Sequence, residues 1–205
     1  MLMTVNDEAK MMNKNERIII FIAAIILLGA FLFTIWKIDL QAPQYPEGIG
    51  LRIWVNQITG LNEYDLNNIN KLNHYIGMKE IVPSSIPELK IMPYIVVFLI
   101  SVGILVSILK RKRFLTIWLA LIVILMIAGL YDFYIWGYDY GHNLNPNAPI
   151  KVPGMSYQPP LLGSKQLLNM KSISLPDIGS YFIGISFLLG SYVLFNKKNK
   201  KEKTL

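Results

Sequence analysis

The chain has 205 residues, 53% of them hydrophobic and only 16% charged, with a formal net charge of +7. That balance argues against a disordered chain and against an ordinary soluble domain, in which about a quarter of the residues are charged. Cysteine is absent, which excludes disulfides, thiolate zinc sites, cysteine-ligated iron–sulfur clusters, c-type haem attachment and thiol redox catalysis.

The first apolar run, Ile18–Trp36, spans 19 residues and is interrupted only by Thr34. That is long enough to cross a bilayer at about 1.5 Å per residue. It reads as an uncleaved anchor: its leader is 17 residues long and the QAPQYPEG that follows offers no small-x-small cleavage site. Three more runs follow, at 91–109, 114–131 and 178–195. The expected fold class is an all-α membrane protein of four transmembrane helices with two ordered extracytoplasmic loops. Its segments are 1–17 (tail), 18–36, 37–90 (first outer loop), 91–109, 110–113 (link), 114–131, 132–177 (second outer loop), 178–195 and 196–205 (basic tail).

Orientation follows from lysine and arginine. The N-terminal tail, the Lys110–Arg113 link and the C-terminal tail hold 12 of the 20 basic residues and 4 of the 13 acidic ones. All three lie on one side of a four-helix topology, so both termini are expected in the cytoplasm and both long loops outside a bacterial inner membrane. Topology and anionic lipid account for the lysine-rich tail, and nucleic acid is not expected as a partner.

In the first outer loop, QAPQYPEGIG reads as irregular chain and Leu51–Asn56 as a short alternating strand. Glu63–Gly77 reads as an amphipathic helix ending at glycine. His74 and Met78 are four apart in it, so a helix would place imidazole and thioether on one face, a soft pair suited to copper. The same spacing is met by a capping histidine and a gap-filling methionine.

The third run leads into Tyr131–Tyr140, where six of ten residues are aromatic. An interfacial belt accounts for them; the alternative is a docking surface using Trp136, Tyr138, Tyr140 and, further on, Tyr157. Asp132 and Asp139 are seven apart, and Asp132 stands at the membrane rim, where an ionisable residue is a functional candidate. His142 opens a stretch with five prolines, read as a rigid extended path rather than a strand. Both histidines and four of nine methionines (Met78, Met92, Met155, Met170) fall in the outer segments. The candidate metal ligands are His74, Met78, His142 and Met155. In the last run, Gly179, Ile183, Ser186 and Gly190 share a face that suits close helix packing, within the bundle or against a partner helix. No ionisable residue interrupts any span, and no metalloprotease, hydrolase or P-loop motif is present. An enzyme is not expected.

The stretches RIWVNQITG…DLNNINKLNHYIGMKEI and WGYDYGHNLNPNAPIKVPGMSYQPPLLGSKQLLN…PDIG resemble a family of small bacterial membrane proteins associated with nitrous-oxide reductase accessory gene clusters. HYIGM and PGMSYQPPLLGS are the most distinctive pieces, and the likeness covers about half the chain. It implies work beside a periplasmic copper enzyme: copper delivery, docking of accessory lipoproteins, or support of electron supply. The alternatives are a metal-free scaffold for a periplasmic complex and a quinol-linked electron-transfer subunit, with Asp132 and His142 lining the quinone.

Overall fold

The computed structural model describes residues 11–196; most of the C-terminal lysine tail and Lys10 lie outside them. Four helices are long and apolar enough to cross a membrane, with 19, 22, 31 and 18 residues. The first span is α1 (Lys14–Ile26) followed by a short α2 (Gly29–Leu32), the second α4 (Glu88–Leu109), the third α5 (Lys112–His142) and the fourth α6 (Ile178–Phe195). Asn13 and Glu16 start α1 with a reciprocal capping box.

In the bundle α1 packs along α4 and α6, and α5 closes the other side against the same two helices. Small residues make the inner face of the first span: Ala23, Ala24 and Ala30 are fully buried. Trp118 of α5 fills the centre, fully buried, with its indole N–H donating to the Leu99 carbonyl at 2.9 Å. Glycines make room for it. A Cβ on Gly103 would lie 2.8 Å from the Trp118 ring, and one on Gly190 would lie 2.7 Å from Leu119. Gly179, Ser186 and Gly190 are therefore used inside the bundle, whereas a Cβ on Gly184 would meet open space.

At one end of the bundle the start of α1, the α4–α5 link and the end of α6 are tied together. Arg17 donates to the Ser107 carbonyl at 2.7 Å, and Lys112 donates to the Val193 carbonyl at 3.1 Å. Each cation thus caps the C-terminus of a neighbouring helix, where orphan carbonyls and the helix dipole favour positive charge.

At the other end stands a folded head, and here the all-α expectation is corrected. The two long connecting segments build one five-stranded antiparallel sheet of order β3-β2-β1-β5-β4. Its strands are β1 (Trp36–Ala42), β2 (Tyr45–Ile53), β3 (Ile58–Gly60), β4 (Gly163–Leu167) and β5 (Met170–Pro176). The protein is therefore mixed α/β. Of the strand read at Leu51–Asn56, Leu51–Ile53 are the end of β2 and Trp54–Asn56 turn towards β3, and the chain read as irregular before it is the β1–β2 hairpin. Pro46 is tolerated there because the ladder register shifts between Leu40 and Ala42. The proline-rich second segment is extended as read, but it ends in the β4–β5 hairpin.

The two central strands continue the outer spans directly. β1 follows the first span, β5 leads into α6, and the two pair with Ile38 opposite Ser174. The junction is tightly bonded. Asp177 caps α6 by accepting from the Ile178 N–H at 3.0 Å, and it accepts from the Thr34 hydroxyl. Gly179 N–H donates to the Thr34 carbonyl at 2.8 Å. A Cβ on Gly179 would lie 2.7 Å from the Phe33 carbonyl oxygen, so only glycine allows this approach.

One sheet face is covered. Ile38, Ile49, Leu51 and Ile58 pack against Ile69 of α3 (Asp65–Ile76) and against Tyr140 of α5. The 31 residues of α5 make a helix of about 46 Å, against about 30 Å of hydrocarbon. Its apolar run ends at Tyr131, and its last eleven residues rise alongside the sheet.

Candidate functional site

The two long segments meet on α3. Asp65, buried in its first turn, accepts from the Gly50 N–H at 3.0 Å and the Asn62 N–H at 3.1 Å, fixing the helix to the sheet. Its C-terminus closes at Gly77 with φ +82°, the left-handed conformation that glycine supplies. There the second segment docks: Asn145 N–H donates to the Gly77 carbonyl at 2.7 Å, and Ile150 N–H to the Tyr75 carbonyl at 2.9 Å. Lys79 pairs with Asp139 at 2.6 Å, and Tyr140 donates to the Glu80 carbonyl at 3.2 Å. Tyr157 N–H donates to the Gly141 carbonyl at 3.0 Å, which lashes the proline-rich path to the end of α5.

The candidate metal ligands differ in their surroundings. The left-handed turn at Gly77 ends the helix between His74 and Met78, so the four-residue spacing no longer puts them on one face. His74 is exposed beside the Tyr75 ring. Met78 turns inward and packs against the covered sheet face. His142 is exposed, stacks on Tyr138 with centroids 4.0 Å apart, and has Nδ1 3.0 Å from the Tyr138 carbonyl oxygen. Met155 is half-buried in its own loop. Among the described residues no group of three or more His, Cys, Asp or Glu side chains is placed to hold a metal.

The aromatic run of α5 splits by face. Phe133, Trp136 and Tyr140 turn to the sheet; Trp136 and Tyr140 lie 4.2 Å apart and Trp36 meets Phe133 edge-on at 5.5 Å. Tyr131, Tyr134 and Tyr138 face outward, 67%, 42% and 47% exposed. Of the four aromatics considered for docking, Tyr140 and Tyr157 are buried, Trp136 is half-buried, and Tyr138 is on the surface. Asp132 is exposed on α5. Asp139 stands beyond the apolar stretch, where hydrogen bonds from Lys79 and Asn143 hold its carboxyl below the usual carboxylate range.

A groove of about 560 Å³ lies at the β1–β2 hairpin end of the sheet, lined by Asp39, Gln41, Arg52 and Ile173 of the other face and by Tyr45 and Glu47 of the hairpin, among others. Arg52 and Asp39 pair across β1 and β2 at 2.7 Å, and Arg52 also donates to the Leu51 carbonyl at 2.9 Å. The pair is fixed in place by these bonds. Sequence reasoning missed this groove. The signal that points to it is the polar half of the alternation in WKIDLQA: Lys37, Asp39 and Gln41 share one face because strand side chains alternate.

The sequence matches no family model and no curated protein.

Proposed function

We propose that the protein is a multi-pass inner-membrane docking subunit, with both termini in the cytoplasm and its head on the outer face, that receives a periplasmic partner on the open sheet face. The observation that carries this reading is the groove: one face of a rigid sheet, rooted in two spans, is left to solvent and bears a fixed Arg52–Asp39 pair beside Ile173. Fixed polar groups beside apolar surface suit recognition of a protein surface. The resemblance to accessory proteins of nitrous-oxide reductase supplies the class of partner, a copper enzyme of the periplasm or the lipoproteins that serve it. The inward turn of Met78, which takes its thioether off the face of His74, favours the metal-free scaffold over resident copper.

Three experiments test this. Because the chain lacks cysteine, Ile150→Cys gives a single thiol at an exposed head position. An impermeant maleimide should label it in intact cells; labelling only after lysis would overturn the orientation. Pull-down after mild solubilisation should recover a periplasmic partner with the wild type and lose it with Gln41→Arg/Leu175→Arg on the open face. Equal recovery from both would overturn docking there. Copper loading under reducing conditions should leave no stoichiometric metal; about one copper per chain, lost in His74→Ala/His142→Ala, would replace this reading with copper handling.

A further inference from the structure

The covered side of the head contains a second, smaller space. A cavity of about 60 Å³ lies between β1, β5, α3 and the end of α5, and Tyr157 and Pro159 border it. Its walls are mostly apolar, with Ile38, Ile69 and Trp136 among them, and no charged residue lines it. Four polar side chains interrupt that wall: Asn73, whose amide donates to the Lys79 carbonyl at 3.2 Å, Tyr140, whose hydroxyl donates to the Glu80 carbonyl, and Tyr157 and Ser172. Tyr157 is 2% exposed and Ser172 is fully buried; both line the cavity, and neither hydroxyl has a hydrogen-bond partner among the described residues.

The neighbouring serine shows what a satisfied group looks like here. Ser174, also fully buried and one pleat along β5, accepts from the Trp36 indole at 2.8 Å and donates to the Leu161 carbonyl at 3.2 Å. Ser172 occupies the equivalent inward position opposite Leu40 and has neither bond. Buried hydroxyls are almost always paired. Two orphans lining one cavity call for an occupant that bonds both.

We propose that this cavity is a binding site for a compact neutral molecule that hydrogen-bonds the Tyr157 and Ser172 hydroxyls. The uncharged walls exclude an ionic ligand, whose desolvation nothing there would offset. A water needs about 15 Å³ of such space, so the cavity admits a molecule of about four non-hydrogen atoms, the size of a short diol or a small carboxamide. Met78 and Met170 also line it, and their flexible, polarizable thioethers adapt to the shape of the occupant. The site does not depend on partner docking at the open face. It does involve the same scaffold, because β1 and β5 both wall the cavity and both continue into spans.

The test uses the full chain in detergent micelles, with 13C-methyl methionine and two probes, ethylene glycol and acetamide. The Met78 and Met170 methyl signals should shift saturably with at least one probe, while Met155 stays unmoved. The ceiling on binding energy per atom puts the dissociation constant no tighter than roughly 40 μM. Tyr157→Phe/Ser172→Ala should weaken binding about tenfold or more. If the double variant fails to fold, Tyr157→Phe alone, which removes one oxygen, should weaken it about fivefold. Shifts that do not saturate, or an affinity unchanged in the variants, would overturn the proposal. Methyl-to-water Overhauser effects that neither probe displaces would also overturn it, leaving a water-filled cavity.

Discussion

Two glycines on one helix make a controlled comparison. In α5, a Cβ on Gly129 would meet nothing within 4 Å, whereas a Cβ on Gly141 would lie 2.3 Å from the Gln158 backbone nitrogen and 2.4 Å from its Cα. Alanine is better than glycine in a helix by about 1 kcal/mol. Gly129→Ala should therefore stabilise by about that amount. Gly141→Ala gains the same term and loses more. The atoms it strikes are backbone, so the 142–160 segment must lift, which costs about 1–3 kcal/mol for overpacking. It also strains the bond from Tyr157 N–H to the Gly141 carbonyl, worth about 1 kcal/mol. The two variants should differ by about 2–4 kcal/mol in guanidinium unfolding of the micellar protein. Trypsin should cut at Lys151 faster in Gly141→Ala than in the wild type. If Gly141→Ala matched Gly129→Ala in both assays, the docking of this segment against α5 would be refuted.

Trp118→Ala should destabilise by about 3–5 kcal/mol, because it empties the centre of the bundle; a loss under about 1 kcal/mol in the same unfolding assay would mean that the centre is not packed as described. Asp177→Ala removes the α6 cap and the acceptor of the Thr34 hydroxyl, and should cost about 2–3 kcal/mol. Asp177→Asn keeps the cap and should recover part of that in thermal unfolding. The Asp139 carboxyl is held below its ordinary range, so its contribution is present above the unfolded-state value and is lost as pH falls through the folded-state value. Unfolding midpoints recorded from pH 5 down to pH 2 should show a small loss in the wild type that Asp139→Asn lacks; identical profiles would remove the Lys79 pair as its source.

The spans were legible because predominantly apolar runs of 18 or 19 residues leave few other readings. The fourth was read to its exact ends, and the third was cut at Tyr131 because polar residues interrupt the apolar run there, although the helix continues. The amphipathic helix and its terminal glycine were legible for the same local reason. The sheet was not. β1 was hidden at the end of an apolar run, and its partner β5 lies far along the chain. In β5 the usual pattern is inverted: Ser172 and Ser174 face the core, while Ile173 and Leu175 face the open side. A hydrophobicity reading of that strand points its faces the wrong way. The spacing argument for His74 and Met78 failed at Gly77, whose role as a helix terminus was read correctly but not applied to the pair.

Pairing β1 with β5 also sets the order in which the molecule can be made. Ile38 waits for Ser174, which a ribosome adding about 5–20 residues per second supplies roughly 7 to 27 s later. Through that interval one edge of β1 is unpaired outside the bilayer, and the half-built sheet offers it to any extended chain nearby. Closure comes only when β5 has been made and stands on the same side of the bilayer as β1. Completion of the head therefore reports that the chain has been made as far as the start of its last span, and a chain stalled before that point would display an open strand edge to chaperones and proteases.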